Sequence, residues 1–405
     1  MAGSGLEPVD AAGGAEFAGG VEERDLSAER GDTEEHLSQD PGQLLIIGFE
    51  GTEISRRLVL LLRRVQPAGV ILFARNIKDP EQTWRLLREC HKNVDTPLFT
   101  CVDLEGGAVD RFRDALGAAP SAGDVFATGD RKLYRRHGEI IGQNCRALGF
   151  NVDFAPVLDL AFEASRSVMG TRAVSPDPTE AIAYAREFLA GLRGANVMGC
   201  GKHFPGLGEG QLDSHHELPV IDKPLKKMWA EDLLPYRTLR PQLPMVMVSH
   251  AAYPQVTRDR RPASLSKVWI SDILRKRIGY KNLIVSDDLE MGGVLSAAPI
   301  GEAAIEFVRA GGDICLICHR EDYILQAHEE LARAAERDSK FARRVGEAAR
   351  RVSTFKKKWA VAGRSARTIP SAAVIERLTR RLWEFGEQVR LEPFGRRADK
   401  RRSRA

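Results

Sequence analysis

The sequence predicts an α/β fold, a single-domain (β/α)8 TIM barrel, from two observations. Eight short apolar segments typical of buried strands alternate with segments of helical periodicity over residues 43–360. Polar and reactive side chains stand at or just after the ends of most of these strands: Asp103, Glu105, Asp153, Asp159, Lys202, His203, His250, Asp287 and Asp288. A barrel gathers all strand ends at one face, whereas an open doubly wound sheet binds its ligand at one switch point. The spread of these residues therefore favours the barrel.

The strand segments are near-continuous apolar runs, which is typical of parallel strands covered on both faces. We predict strands at Leu44–Glu50, Gly69–Ala74, Pro97–Leu104, Phe150–Leu160, Val197–Phe204, Met245–His250, Asn282–Asp287 and Asp313–Cys318. Apolar residues at helical spacing predict helices at Glu81–Lys92, Asp130–Leu148, Pro178–Arg193, Ser266–Ile278, Ile300–Ala310, Tyr323–Arg337 and Phe341–Trp359.

The two ends of the chain differ from this region in composition. Residues 1–42 are rich in Gly, Ala and acidic residues, with too few large apolar side chains to offset the entropy of ordering, so we predict a disordered segment. Residues 361–405 predict an amphipathic helix, about Ala372–Val389, followed by a basic tail. Because the net charge is only +4 and no aromatic residues interleave with the basic tail, we expect a solubilising extension and no nucleic-acid partner.

The cysteines and apolar runs bear on the compartment. Six cysteines are scattered along the chain, and the C-x-x-C pair Cys315 and Cys318 lies inside a strand-like run with no second Cys/His pair. This pattern is typical of a reducing compartment. The given N-terminus lacks the basic-then-apolar order of a signal peptide, so we expect none, and no apolar run approaches membrane-spanning length. We expect a cytoplasmic monomer without membrane contact.

Several common kinds of site are not indicated. The sequence has no Walker loop and no Gly-x-Ser-x-Gly motif, and the glycine-rich stretch 206–210 does not open a predicted helix. The side chains of His203, Asp213, His215 and His216 suit zinc, but no helix-borne histidine pair frames them. We therefore expect no metal and no other cofactor.

One segment combines an acid with a base. A predicted strand ends at Lys202 and His203, and a Pro/Gly-rich loop follows in which Asp213 stands two residues before His215. Side chains at i and i+2 of an extended segment point the same way, so Asp213 can accept the Nδ1 proton of His215. A histidine held in this way both gives and takes a proton near neutral pH.

A carboxylate at a second strand end, Asp287, can act as a nucleophile. A carboxylate that attacks an acetal carbon while another group exchanges a proton with the leaving oxygen performs retaining glycoside hydrolysis. Taken singly, His215 beside His216 also fits a solvated loop, and Asp287 with Asp288 fits a helix cap. Their combination at one face of a predicted barrel favours catalysis.

These residues resemble the signature of family 3 glycoside hydrolases, in the NagZ-like β-N-acetylhexosaminidase branch. The stretch from Lys202 to His215 matches the pattern K-H-F-P-G-H-G-x(4)-D-S-H with one difference. Further similar segments follow the family's order at Val102–Gly107 with Arg111, Asn151–Asp159, Ser167–Arg172, Pro262–Ser266 and Val285–Met291. The resemblance covers roughly residues 44–360.

The resemblance implies a retaining exo-β-N-acetylglucosaminidase that removes terminal, non-reducing β-linked N-acetylglucosamine. It implies Asp287 as the nucleophile and His215 as the acid/base, with Asp213 as its partner. Residues implied to hold sugar hydroxyls are Asp103, Arg111, Arg172, Lys202 and His203. The family's usual cytoplasmic substrate is a muropeptide with N-acetylglucosamine joined to 1,6-anhydro-N-acetylmuramic acid, cleaved in peptidoglycan recycling without cofactor or metal.

Two positions depart from the family pattern. Leu207 stands where the family has histidine, and Ala108 stands where it has arginine. Neither position carries the chemistry, so both bear on the substrate. Two other functions stay open. A phosphorylase of the same fold is one, because a histidine acid/base adds no negative charge to repel phosphate. A non-catalytic saccharide-binding barrel is the other, and the joint presence of Asp287, Asp213 and His215 argues against it.

Overall fold

Eight parallel strands close into a barrel, which confirms the predicted fold class. The computed structural model describes residues 40–210, 218–359 and 368–402, with side chains described up to residue 392. In chain order the strands are β1 (Leu45–Ile47), β2 (Gly69–Leu72), β3 (Phe99–Val102), β4 (Val152–Asp153), β5 (Met198–Phe204), β6 (Met245–Val248), β7 (Leu283–Asp288) and β8 (Ile314–Ile317). Each strand pairs with its neighbours in the chain, and β8 pairs with β1.

Two strand predictions differ from the structure in detail. The predicted strand Phe150–Leu160 is too long as a continuous strand: β4 comprises only Val152 and Asp153, and the pairing with β5 resumes as an isolated bridge between Val157 and Lys202. Pro156 has no N–H group to donate to a regular ladder, but its carbonyl oxygen still accepts a hydrogen bond from Lys202 N. After β3 the chain forms an unpredicted antiparallel ribbon, Leu104–Gly106 with Val109–Asp110.

Helices surround the barrel. Along the described residues they are Arg56–Val65, Pro80–Lys92, Arg113–Leu116, Ala122–Ala127, Arg131–Ala147, Arg166–Met169, Pro178–Gly194, Leu225–Ala230, Leu233–Leu239, Pro254–Thr257, Gly292–Leu295, Ile300–Ala310, Glu321–Arg337, Ser339–Lys358 and Ala372–Arg402. The segment Val268–Arg277 is π-helical. Short 3-10 turns lie at Pro41–Leu44, Ala74–Asn76, Glu163–Ser165, Gly170–Arg172 and Ala263–Leu265. Among the described residues no helix has the length and apolarity of a membrane span.

The hydrophobic core has two layers because neighbouring strand residues face opposite sides. One set of side chains, including Ile46, Cys101 and Met247, fills the barrel interior. The alternate set packs between the strands and the helices. Phe355, from the helix Ser339–Lys358, lies 6.1 Å from the ring of Phe99 and closes the end of the barrel at which the strands begin. All six cysteines are buried and unpaired.

The C-terminal helix runs from Ala372 to Arg402, longer than predicted. It packs on the helix Arg131–Ala147, where Phe385 is fully buried and stacks on His137. Arg381 Nη1 donates a hydrogen bond of 2.8 Å to Gln143 Oε1. The predicted disordered segment lies almost entirely outside the described residues, which begin at Asp40. The domain boundaries at residues 42 and 360 stay predictions.

Candidate active site

A cavity of about 180 Å³ lies at the face where the strands end. We call it the inner cavity. Residues implied by the family resemblance line it: Asp103, Arg111, Arg172, Lys202, His203 and Asp287. Asp213 and His215 lie outside the described residues. A larger groove of about 810 Å³ lies beside the helix Ile300–Ala310 on the outside of the barrel, but none of the predicted site residues lines it.

Two strands carry consecutive residues that both reach the inner cavity. Gly201 and Phe204 of β5 pair with Val246 and Val248 of β6, so β5 has one residue more than its partner over this stretch. Such a bulge interrupts the alternation of faces, and Lys202 and His203 both line the cavity.

The end of β7 has a similar irregularity. Val285 and Asp288 pair with Ile314 and Leu316 of β8, again with one extra residue on the strand that carries the site. Asp287 and Asp288 accordingly both line the inner cavity.

A buried ionic network forms one wall. Lys202 Nζ lies 2.7 Å from Asp103 Oδ1 and 2.6 Å from Glu105 Oε1. The guanidinium of Arg172 forms two hydrogen bonds with the Glu105 carboxylate, at 2.7 and 2.9 Å. Burial opposes the charge of Glu105, but Lys202 and Arg172 hold its pKa well below the usual range. Burial likewise opposes the charge of Lys202, and Asp103 and Glu105 raise its pKa. The wall is therefore charged and rigid.

A second buried carboxylate, Asp159, organises the turn after β5. Its Oδ2 lies 2.6 Å from His203 Nδ1, and its Oδ1 accepts a 2.7 Å hydrogen bond from the backbone N–H of Leu207. Because an ionised carboxylate only accepts, His203 carries a proton on Nδ1 and presents Nε2 as its other ring nitrogen. Asp159 thus positions both His203 and the start of the loop that leads to residue 211.

The carboxylate of Asp287 is surrounded by cationic and neutral donors. Burial raises its pKa, but His203, the backbone N–H of Asp288 and Lys202 together hold the pKa below its ordinary value. The 2.9 Å hydrogen bond from Asp288 N to Asp287 Oδ1 also fixes the carboxylate. Asp287 is therefore ionised at neutral pH, as a nucleophile requires.

The ring of His250 holds the end of β7 through hydrogen bonds to the backbone and to Ser264. Its Nε2 lies 2.9 Å from the carbonyl oxygen of Asp288, and its Nδ1 lies 2.7 Å from Ser264 Oγ. Because a carbonyl only accepts, Nε2 carries the proton, and Nδ1 accepts from the hydroxyl in the neutral ring. Burial lowers the pKa of His250, which agrees with a neutral ring.

The neighbouring carboxyl group, Asp288, has a raised pKa, whereas the pKa of Asp287 is lowered. Burial, opposed by a hydrogen bond from Glu290 N and assisted by the charges of Glu290 and Asp287, raises the pKa of Asp288 to about 7. Its Oδ2 lies 3.5 Å from His319 Nε2. His319 stacks on Phe73, with ring centroids 5.4 Å apart.

Arg111 also lines the inner cavity, against the ring of Phe73. Its guanidinium carbon lies 5.5 Å from the centroid of Phe73. Its buried Nε has no hydrogen-bond partner among the described residues. This donor is available to a ligand.

Sequence reasoning named Glu105, Asp159, His250 and Asp288 as polar residues at strand ends but gave them no role at the site. Their partners come from other strands, so the sequence carried no signal for the pairing beyond that position. Asp153, in the same set, accepts a hydrogen bond from Leu104 N. Burial raises its pKa far above the usual range. It supports β3 and does not line the inner cavity.

The donor set of the inner cavity suits a neutral polyhydroxylated ligand. Charged side chains converge on a space of one hexose-sized ring, and paired carboxylates and cations are good partners for hydroxyl groups. Within residues 40–210, 218–359 and 368–392, no group of three or more His, Cys, Asp or Glu side chains is arranged to hold a metal ion.

Comparison with known proteins identifies the family. The model of the glycosyl hydrolase family 3 N terminal domain matches residues 36–355. A Beta-hexosaminidase of Bordetella parapertussis is 39% identical over 290 residues, which cover 70% of this chain and 81% of that protein.

Solved structures are similar throughout the barrel. A family 3 β-N-acetylglucosaminidase from Paenibacillus superposes with a TM-score of 0.80 at 31% identity, covering 87% of this chain and 68% of that one. NagZ from Neisseria gonorrhoeae, solved in complex with a zinc ion, gives a TM-score of 0.67 at 27% identity, covering 85% and 98% of the two chains. The chain therefore belongs to glycosyl hydrolase family 3, as a glycoside hydrolase of the β-hexosaminidase type.

Proposed function

We propose that this protein is a retaining exo-β-N-acetylglucosaminidase that removes single N-acetylglucosamine residues from non-reducing ends. The observation that carries the proposal is the ionised carboxylate of Asp287 in a cavity sized for one sugar, opposite the network of Lys202 and Glu105. The Beta-hexosaminidase relatives and the Paenibacillus β-N-acetylglucosaminidase support the same substrate class.

The first chemical step forms a covalent intermediate. A carboxylate oxygen of Asp287 attacks the anomeric carbon while the bond to the leaving oxygen breaks, and His215 gives its proton to that oxygen. The product is a glycosyl ester on Asp287 and a free alcohol. Asp213 stabilises the imidazolium form of His215 before transfer. The roles of Asp213 and His215 rest on the family resemblance.

The second step reverses the roles. The neutral imidazole of His215 takes a proton from water, the water oxygen attacks the anomeric carbon, and the bond to Asp287 breaks. Two inversions give net retention. Throughout, Asp103, Lys202 and Arg172 hold the sugar hydroxyls, and His203 and Arg111 complete the ring's contacts.

We propose an anhydro-muropeptide as the natural substrate, in peptidoglycan recycling, on the basis of the NagZ-like motif from Lys202 to His215. A cytoplasmic location and a monomeric state are predictions from the sequence that accompany this proposal.

The test is product analysis by mass with chitobiose and with an anhydro-muropeptide, each with and without inorganic phosphate. Free N-acetylglucosamine in both conditions supports the hydrolase. N-acetylglucosamine 1-phosphate that depends on phosphate would establish the phosphorylase instead. Binding of either substrate without any product would establish a saccharide-binding barrel.

The acid role of His215 has its own test. His215→Ala should lose far more activity on glycosides with poor leaving groups than on activated aryl glycosides, because only the former need a proton on departure. Equal losses on both series would contradict the acid role.

A further inference from the structure

The C-terminal helix exposes apolar side chains on the side that faces away from the barrel. Its inner side is used by the barrel, since Leu382, Phe385 and Val389 are buried in the core. Trp383 and Leu391 are 66% and 55% exposed, and Trp383 is the most exposed large apolar side chain among those that the structure describes. At about 3.6 residues per turn, these two residues lie on the side of the helix opposite to the buried three. We call this side the outer face.

The helix is seated firmly, so the outer face has a fixed place on the molecule. The ring of Phe385 stacks on His137 with centroids 5.7 Å apart. Arg136 Nη1 donates a 2.8 Å hydrogen bond to Gln388 Oε1. Because these contacts lie on the inner side, the exposure of Trp383 does not come from an undocked helix.

Arginine side chains accompany the apolar residues of the outer face. Arg380 stands one turn before Trp383, and Arg390 stands next to Leu391; both arginines are exposed. Arg390 pairs with Glu387 at 2.6 Å. The outer face therefore combines an aromatic and an aliphatic side chain with guanidinium groups.

The positive charge of the chain is concentrated just beyond this face. Residues 393–405 contain six basic residues and one acidic residue, a net charge of +5, whereas the whole chain has a net charge of only +4. The basic residues are Arg396, Arg397, Lys400, Arg401, Arg402 and Arg404. The helix continues as far as Arg402, so most of these residues belong to the helix that carries Trp383.

We propose that the C-terminal helix docks on an anionic lipid surface. Trp383 and Leu391 enter the boundary between headgroups and acyl chains, where a helix lying in the plane of the interface buries its apolar residues. The basic residues of 393–405 are attracted to the negative headgroups. A helix that lies on a membrane needs no span, and no described helix has the properties of one.

Composition alone indicated a solubilising extension without membrane contact. The observation that favours a docking surface instead is the exposure of Trp383 and Leu391 on a helix whose inner side is already filled. The inference goes beyond the proposed function and does not depend on it.

Two other occupants fit these features less well. A second copy of the chain, paired through the same face, would bring two segments of net charge +5 to one interface, where they repel each other. A nucleic acid would attract the basic residues and could stack a base on Trp383, but it offers no apolar surface to Leu391.

The test is co-sedimentation of the full-length protein with lipid vesicles. The protein should bind vesicles that contain phosphatidylglycerol, should not bind vesicles of phosphatidylcholine alone, and should be released by high salt. The double variant Trp383→Ser with Leu391→Ser should bind at least tenfold more weakly, because the buried apolar area is lost. Arg396→Gln with Arg397→Gln should weaken binding about thirtyfold, because two headgroup contacts are lost.

The chain offers a matched control for the apolar residues. Leu60 is 60% exposed on the helix Arg56–Val65, which also carries arginines. Leu60→Ser removes an equally exposed leucine from another surface and should keep the wild-type affinity for vesicles. Thermal unfolding of each variant should match the wild type, since Trp383, Leu391 and Leu60 are exposed.

Equal binding to both kinds of vesicle, wild-type affinity in the Trp383 and Leu391 double variant, or an equal loss in Leu60→Ser would overturn the proposal. A dimer in light scattering that the double variant abolishes would assign the outer face to a second copy. Single-stranded RNA bound more tightly than the vesicles, with the same loss in the double variant, would assign it to a nucleic acid.

Discussion

The two ends of the barrel both bury charged side chains, but they use them differently. At the end where the strands finish, Lys202 is tied to Asp103 and Glu105, and these groups still line a cavity. At the end where the strands begin, Asp313 is paired with Arg275, Arg344 and Arg351 and also accepts a hydrogen bond from Ile284 N. No cavity lies next to Asp313 among those that reach the predicted site.

A pair of buried lysines shows the same contrast. Lys202 has two carboxylate partners, and its pKa is raised. Lys356 has only neutral partners, Gln43 Oε1 at 3.0 Å and Thr96 Oγ1 at 3.2 Å, and burial lowers its pKa to about 7. The network at the active-site end holds charge where a ligand can reach it, and the opposite end serves packing. Matched substitutions at the two ends separate these purposes.

The largest effect is expected at the nucleophile. Asp287→Ala should lower kcat for an aryl β-N-acetylglucosaminide by about 10⁴-fold or more, because the covalent step is lost. Steady-state kinetics measure it, with thermal unfolding to show that the fold persists. Near-normal turnover would contradict the nucleophile assignment.

The next effect belongs to the network at the same end. Lys202→Met should lower kcat/KM about 10³-fold, because sugar contacts are lost. It should also destabilise the fold by about 3 kcal/mol, since Asp103 loses this partner and Glu105 is left with Arg172 alone. Enzyme kinetics and chemical denaturation give the two numbers. A variant with wild-type kcat/KM would remove Lys202 from the site.

Asp313→Ala is the counterpart of Asp287→Ala at the opposite end. It leaves three arginine side chains without their shared carboxylate, so the free energy of unfolding should fall by about 3–5 kcal/mol. The kcat/KM per folded molecule should stay at the wild-type value. A specific loss of kcat/KM without loss of stability would erase the distinction between the two ends.

The smallest effect has the opposite sign. Lys356→Met should raise the free energy of unfolding at pH 7 by about 2 kcal/mol, the cost of burying a charge less the hydrogen bonds lost. In the wild type the unfolded chain keeps this proton up to about pH 10.5, while the folded chain releases it near pH 7. The unfolded state therefore binds more protons between these values, and wild-type stability should rise with pH in this window.

The free energy of unfolding of the Lys356→Met protein should lack this rise between pH 7 and pH 9. Denaturation at pH 7 and pH 9 measures it in both proteins. A Lys356→Met protein less stable than the wild type at both pH values would contradict the lowered pKa.

The sequence predicted much of the fold because its signals are local. Apolar runs of strand length marked all eight barrel strands, and periodicity marked helices such as Pro178–Gly194. Where the signal was ambiguous, prediction was weaker. The run Phe150–Leu160 is largely apolar, yet β4 comprises only two of its residues, and further pairing is an isolated bridge at Val157, since apolar character reports burial and not regular hydrogen bonding.

Part of the site could be predicted because its motifs are also local in the sequence. Motif spacing pointed to Lys202, His203 and Asp287, and these residues line one cavity. Asp159 was noticed only as a strand-end residue, because its partners His203 and Leu207 are more than forty residues away in the chain. Asp213 and His215 lie outside the described residues, so their roles stay predictions.

The sequence by itself determined the barrel and the family of the chemistry, because strand periodicity and motif residues are written in consecutive positions. Only the tertiary structure decided which residues adjacent in the chain line the same cavity. Bulges in β5 and β7 bring Lys202 with His203, and Asp287 with Asp288, into one cavity. A bulge depends on the register between two strands, which no single strand encodes. The same holds for the ionisation of Asp287 and Asp288, which is set by burial and by groups from other strands.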